Sequence, residues 1–216
     1  MGQPKEYTYS VHAWPIDRAA CTALEDYIRT RTTAQDGVHG ALGGAGLNFT
    51  RADLRDFDLS DAYLAVADLD GVNLAGADLD RATLLGARLR NADLSGTHLH
   101  KVEADGCVGE GLNLSGANLF RASFVKADLR RADLSNCELS STNLREADLR
   151  AANLRGCHFG PTPTRLTRAQ LSGAHVTDAW GEVRGPIRVD DDQILTGEQL
   201  AEWFASRGAP RVHLVE

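Results

Sequence analysis

Eight aspartates crowd residues 46–80 (Asp53, Asp56, Asp58, Asp61, Asp68, Asp70, Asp78 and Asp80) against two bases, Arg51 and Arg55. Regularly spaced carboxylates can imitate a row of phosphates toward a protein that grips DNA. Between residues 81 and 160 nine acids meet eleven bases, so the charge balance changes along the chain. A second group, His98, His100, Glu103, Asp105 and Cys107, contains the side-chain types of metal and proton-transfer sites. Cys137 and Cys157 form a third pair of interest. There is no nucleophile elbow, HExxH or P-loop, and no Lys-Ser/Thr follows the glycines of 40–46. Neither catalysis nor a cofactor is expected, and what the carboxylates can do depends on the backbone that spaces them.

That backbone has a period of five. A large apolar residue recurs at Phe49, Leu54, Leu59, Leu64, Leu69, Leu74, Leu79, Leu84, Leu89, Leu94 and Leu99. After the weak positions Ala104 and Gly109 it resumes at Leu114 and runs in phase to Phe159. Two residues before each stands a small one, usually Ala, and one before stands Asp or Asn, giving a unit A-[D/N]-L-x-x. On a straight strand an odd spacing sends successive leucines to opposite faces. On a helix it steps them 140° around the axis. They share one interior only if the chain turns once per unit. Gly76, Gly96, Gly116, Asn136 and Gly156 recur at twenty-residue intervals. Gly and Asn tolerate φ > 0, so this row reads as one corner per coil, four units to a coil. The prediction is a square all-β solenoid.

With those residues in view the chain resembles the pentapeptide-repeat proteins, from Phe49 to Phe159 and, after a slip of register at 160–165, at Leu166, Leu171 and Val176. The resemblance implies a right-handed quadrilateral β-helix of about six to seven coils. It also implies a function: members of this size resemble B-form DNA in width and charge and bind DNA gyrase or topoisomerase IV. In doing so they give resistance to gyrase inhibitors or self-resistance to an antibiotic, and several form homodimers through a C-terminal helix. On this reading the acidic partner-binding surface comprises Asp53, Asp58, Asp68, Asp70, Asp78 and Asp80.

The solenoid geometry sorts the remaining candidates. Tyr63, Val66, Leu85 and Val125 fall on outward positions of one side and Phe120 on the next, an apolar patch suited to a partner. The alternative function is therefore an interaction scaffold for a biosynthetic enzyme or peptide. His98 and His100 flank Leu99, whereas Glu103 and Asp105 lie around the next corner and Cys107 points inward, so no metal site is expected. Ala104 and Gly109 underfill the interior, which predicts a bulge or kink at 100–111. Cys137 and Cys157, one coil apart on one inward row, are read as reduced core thiols.

Outside the repeat, residues 1–45 are read as a cap and lead-in: a strand at 7–14, a helix from Asp17 to about Thr30 with Ala20, Leu24, Tyr27 and Ile28 inward, then the Gly-rich stretch. The repeat body spans 46–180 and a tail 181–216. The tail carries a helix at 197–207, with Thr196 and Gln199 as a capping box and Leu195 and Leu200 as a hydrophobic staple. Its stripe of Leu200, Trp203 and Phe204 must dock, either on the solenoid end or across a two-fold dimer. The net charge of −7 and pI of about 5.5 disfavour direct nucleic-acid binding. No apolar run approaches the ~18 residues of a membrane span and no signal peptide is seen, so a cytoplasmic location is expected.

Overall fold

The structure, a computed structural model, describes residues 11–33, 40–190 and 193–215. From Gly43 onward each unit makes one β-bridge at the residue before its central one, then turns. The bridges join residues twenty apart into four parallel ladders. The first side runs Asn48–Asp68–Arg88–Val108–Asp128–Asp148, the second Asp53–Asn73–Asp93–Asn113–Asp133–Asn153. The third runs Asp58–Asp78–His98–Asn118–Glu138–His158–Trp180, and the fourth Gly43–Tyr63–Thr83–Glu103–Ser123–Asn143–Arg165. The last step, Asn143 to Arg165, absorbs the expected slip of two residues.

The motif has a hydrogen-bond rationale. In a representative unit the central N–H reaches the next coil (Leu54 N to Asn73 O, 2.8 Å) and the preceding N–H reaches back (Asn73 N to Ala52 O, 2.9 Å). The N–H after the central residue has no such carbonyl, and a buried unpaired donor is costly. The Asp or Asn side chain supplies the acceptor: Asn73 Oδ1 takes Ala75 N–H at 3.1 Å, and Asp133 takes Ser135 N–H at 2.9 Å. Central Leu and Phe side chains and the small residues before them fill the axis, each large one contributing ~1.5–3 kcal/mol against exposure.

Two expectations change. The residue two after the centre has φ near +60° at all four corners, including Arg51, Asp56, Asp61 and Val66. Hence the twenty-residue glycine row does not mark a special corner; it is the row in which glycine most often meets a conformation that every corner requires. There is also no bulge at 100–111. Glu103 and Val108 bridge Thr83 and Arg88 in unbroken register. Val102 stands in the small position before Ala104, and Leu112 in the one after Gly109. A Cβ on Gly109 would lie 3.1 Å from Leu112 Cδ2 and 3.3 Å from Leu129 Cδ2, so the volume is already filled. The same exchange of large and small begins the solenoid, where buried Leu42 precedes Gly44. The glycines of 40–46 thus already belong to the first coil.

Both ends are covered. Helix α1 (Arg18–Thr33) is capped by Asp17, whose Oδ2 accepts Ala20 N–H at 2.8 Å, and buries Ala20, Leu24 and Tyr27 with Ile28 half-buried. Tyr27 lies 6.4 Å from Phe57, which occupies a normally small position of the first coils. Of the strand expected at 7–14, residues 7–10 lie outside the described residues; Ala13 makes one antiparallel bridge to Asp53. At the far end come β1 (Thr164–Arg165), β2 (Trp180–Arg184), β3 (Ile187–Arg188), β4 (Ile194–Leu195), α2 (Gly197–Ser206) and β5 (Arg211–Leu214). β1, β2 and β5 form a parallel sheet in that order, and β3 pairs antiparallel with β4. Helix α2 lays Leu200, Trp203 and Phe204 onto the end of the rod, Phe204 meeting Phe159 edge to face at 6.2 Å. Thr196 sits at its N-terminus without a side-chain cap bond, so the expected capping box does not form.

Candidate partner-binding surface

A filled, doubly capped axis leaves the skin of the rod for recognition. The structure distributes the six candidate aspartates over three sides: Asp68 and Asp70 on the first, Asp53 on the second, Asp58, Asp78 and Asp80 on the third. In a square coil the first and third sides face away from each other, so the acids ring the first end and do not form one patch.

Asp58 is no surface residue. It is 6% exposed beneath α1, paired with Arg31, while Tyr27 donates its hydroxyl proton to the Asp58 carbonyl and accepts from Arg31. The Asp that begins the third ladder is therefore where the cap is bolted on. Asp53 binds Arg55, whose side-chain hydrogen bond holds the carboxyl below its usual range. Asp70 and Asp80 stand one residue after a centre, where the motif requires no acid, and they compensate a gap in it. Their next-coil neighbours Arg88 and His98 occupy the Asp/Asn position, leaving the N–H groups of Arg90 and His100 without their usual acceptor. Asp70 Oδ1 takes the first at 2.8 Å and Asp80 Oδ1 the second at 3.1 Å. Asp105 does the same for Val125 N–H at 2.8 Å. The spacing of Asp70 and Asp80 suggests recognition groups, whereas the donor each carboxylate serves belongs to the neighbouring coil.

Burial pushes Asp70 up, but the Arg88 guanidinium at 2.8 Å and the Arg90 N–H together hold it below the ordinary carboxylate range. Asp128 is lowered chiefly by its hydrogen bond to Arg130. Depressed carboxylates stabilise the fold above the unfolded pKa of about 3.9 and lose that contribution as pH falls through their folded values. Asp70→Asn should therefore flatten the fall in urea midpoint below about pH 4.

The basic residues further along the first side are internally matched. Arg130 contacts Asp128 at 2.7 Å and Glu110 at 3.4 Å, and Arg150 contacts Asp148 at 2.6 Å. The His98–Cys107 group disperses as its spacing predicted. His100 stacks on Phe120 at 5.5 Å, Glu103 lies on the fourth side, and Asp105 accepts from Ser123 Oγ at 2.6 Å. Cys137 and Cys157 donate Sγ–H to Leu114 and Leu134 carbonyls, each at 3.0 Å, and are free thiols. Burial pushes Cys107 and Cys137 up to about 12.

The fourth side is different in kind. Tyr63, Val66 and Leu85 are 55%, 65% and 39% exposed. Val125 and Phe120 are half-buried, and Phe120 faces the third side beneath Arg121. Val66 stands at a corner with φ 53°, in a column that holds Gly46, Gly86 and Gly106 and, further along, Lys126 and Glu146 at the same positive φ. A β-branched residue in that region is strained, by ~1–2 kcal/mol. Val66→Gly is expected to raise the urea-derived stability by ~0.5–1 kcal/mol, the strain relieved less the entropy of glycine; a loss of stability would show that Val66 packs usefully.

The leucines, the four ladders and the turn in each unit define a quadrilateral solenoid. Family profiles described as pentapeptide repeats match in eight copies at 48–86, 73–108, 87–124, 110–136 and 122–160, more than half of the chain. The protein belongs to the pentapeptide-repeat family, and with it the ladders are those of a right-handed β-helix. Among solved structures it is similar to the pentapeptide-repeat protein Rfr23 of the cyanobacterium Cyanothece 51142, at 35% identity over 39% of this chain and 58% of that one, TM-score 0.39. HetL of Nostoc sp. strain PCC 7120, a protein involved in heterocyst differentiation regulation, shares 27% identity over 77% and 88% of the two chains, TM-score 0.34. QnrB1, a plasmid-mediated fluoroquinolone resistance protein, shares 16% over 72% and 86%, TM-score 0.32. No curated protein matches the sequence.

Proposed function

We propose that the protein is a non-enzymatic binding rod of six to seven coils that seats a partner protein on its fourth side. The observation that carries this reading is the strained and exposed Val66, flanked by Tyr63 and Leu85 where the other sides carry charge. Aromatic and branched side chains on a rigid ladder lose little entropy on binding and form suitable anchors. Tyr63→Ala with Leu85→Ser should abolish capture of the cognate partner while leaving the urea midpoint unchanged; undiminished capture would remove this reading.

A second reading, the DNA mimic that binds DNA gyrase or topoisomerase IV, is supported by Asp78 and Asp80, which among the described residues form no ion pair with an arginine, Asp80 facing His100 at 3.6 Å, in a protein of net charge −7. It is weakened by the pairing of Asp53, Asp58 and Asp70 with arginines. Asp78→Asn with Asp80→Asn keeps both backbone acceptors and removes only charge. If the reading holds, the parent inhibits or protects gyrase in a supercoiling assay at micromolar concentration and this variant does not. An inert parent ends it. The apolar stripe of α2 is already buried on the rod, so a dimer, if formed, would use another surface.

A further inference from the structure

The far end of the rod carries a site unrelated to either surface above. A cleft of about 550 Å³ is lined by Gly185 and Pro186, by Thr196, Gly197, Glu198, Leu200 and Ala201 at the start of α2, and by Val212, His213, Leu214 and Val215. Three consecutive residues of β5 and the residue after them can line one cleft only if the strand presents its edge, because successive side chains point to opposite faces. β5 is the terminal strand of the β1–β2–β5 sheet, and among the described residues none pairs with its outer edge.

The register shows which backbone groups are open there. In a parallel pair, alternate residues direct both N–H and C=O to the same neighbour. Val215 N donates to Val183 O at 3.0 Å, which assigns Arg211, His213 and Val215 to β2 and turns Val212 and Leu214 outward. Val212 N–H is satisfied by Ala209 O at 3.3 Å. Among the described residues nothing pairs with the Leu214 N–H or the Val212 and Leu214 carbonyls, which face the cleft, whose opposite wall includes Ala201 and Pro186.

We infer that this cleft receives an extended peptide segment of another protein, which adds to β5 as a fourth strand and places an apolar side chain against the half-buried Ala201 and Pro186. The open groups prescribe an occupant that brings both a carbonyl for Leu214 N–H and N–H groups for the two carbonyls, in β geometry, as strand addition does. Val212–Val215 spans ~13 Å at ~3.3 Å per residue, the reach of a segment of four to six residues. Charge refines the choice. Glu198 and His213 are the ionisable residues of the lining, and Glu198 is exposed and in no ion pair among the described residues, so a lysine or arginine beside the apolar residue completes the fit.

The test is amide exchange on the full-length protein, with the capped hexapeptide of sequence TKVLVT as probe. At saturation, exchange at Leu214 should slow by ~10-fold or more, with chemical-shift changes at Val215 and Ala201. A copy of the peptide N-methylated at alternate residues on its pairing edge should not bind. Glu198→Gln should weaken TKVLVT but not TTVLVT, and Ala201→Glu should abolish both. Three results overturn the inference: no slowing at millimolar peptide, a Leu214 amide already protected without peptide, or protection that appears only as protein concentration rises. The second would show that the chain covers its own edge, and the third that a second copy does.

Discussion

Arg31→Ala is expected to cost the protein ~3–5 kcal/mol, because it strands a buried carboxylate. Arg31 and Asp58 have side chains only 8% exposed and are paired with each other, with Tyr27 bonded to both the arginine and the Asp58 carbonyl. The geometry makes this pair the hinge pin between α1 and the first coils. Asp58 Oδ1 is further committed to Ser60, accepting its N–H at 3.1 Å and its hydroxyl at 2.7 Å. Removing the cation leaves the negative charge where water cannot reach it, whereas removing both charges does not. The double variant Arg31→Met, Asp58→Asn should thus be clearly more stable than Arg31→Ala alone. Equilibrium urea denaturation decides the matter. A loss below ~1 kcal/mol for Arg31→Ala, the range of a surface ion pair, would show that the pair is solvated and that α1 is held by Leu24 and Tyr27 packing alone.

The other large effect lies at the opposite end. Phe204→Ala should destabilise by ~3–5 kcal/mol, the range for removing a buried aromatic side chain. Phe204 is fully buried, edge-on to Phe159 at 6.2 Å and to Trp203 at 5.0 Å. It closes the axis of the rod as α1 does at the beginning. Without it the last Phe of the stack and the sheet of β1, β2 and β5 lose their cover, and uncovered solenoid ends pair with one another. Sedimentation should then show concentration-dependent association of Phe204→Ala under conditions where the parent is unchanged by dilution. A variant with a parental midpoint and no association would mean that α2 rests on the rod without sealing it. Glu202→Ala, on the exposed face of the same helix, serves as the neutral comparison.

The two caps also separate the roles of the charged residues. The surface acids of the first coils looked equivalent, as one row of regularly spaced carboxylates. In the folded chain Asp58 fastens a helix, Asp70 and Asp80 each supply an acceptor that Arg88 and His98 cannot, and Asp53 is held by Arg55. Asp78 accepts the N–H of Asp80 at 3.0 Å. Carboxylates that serve the backbone are poor candidates for recognition by charge alone, which is why the exposed apolar side gains weight.

Much of the architecture follows from the chain without its coordinates. A large apolar residue at every fifth position, with a small residue two before it, admits one arrangement in which all share an interior, and the chain adopts it. The helix begun by Asp17 and the buried stripe of Leu200, Trp203 and Phe204 were legible for the same reason, since spacing of apolar residues reports a face. Tertiary structure alone decided what lay between coils. The fit of Val102 with Ala104, and of Leu112 with Gly109, depends on volumes brought together across turns, so a sequence gap became a continuous core. The destination of each aspartate depends on which N–H the neighbouring coil leaves open, twenty residues away. The edge of β5 depends on a register that local propensity does not encode. Periodicity carries short-range information about which way a side chain points; hydrogen-bond partners and packing volumes are set by residues far off in sequence, and only the closed coil brings them within reach.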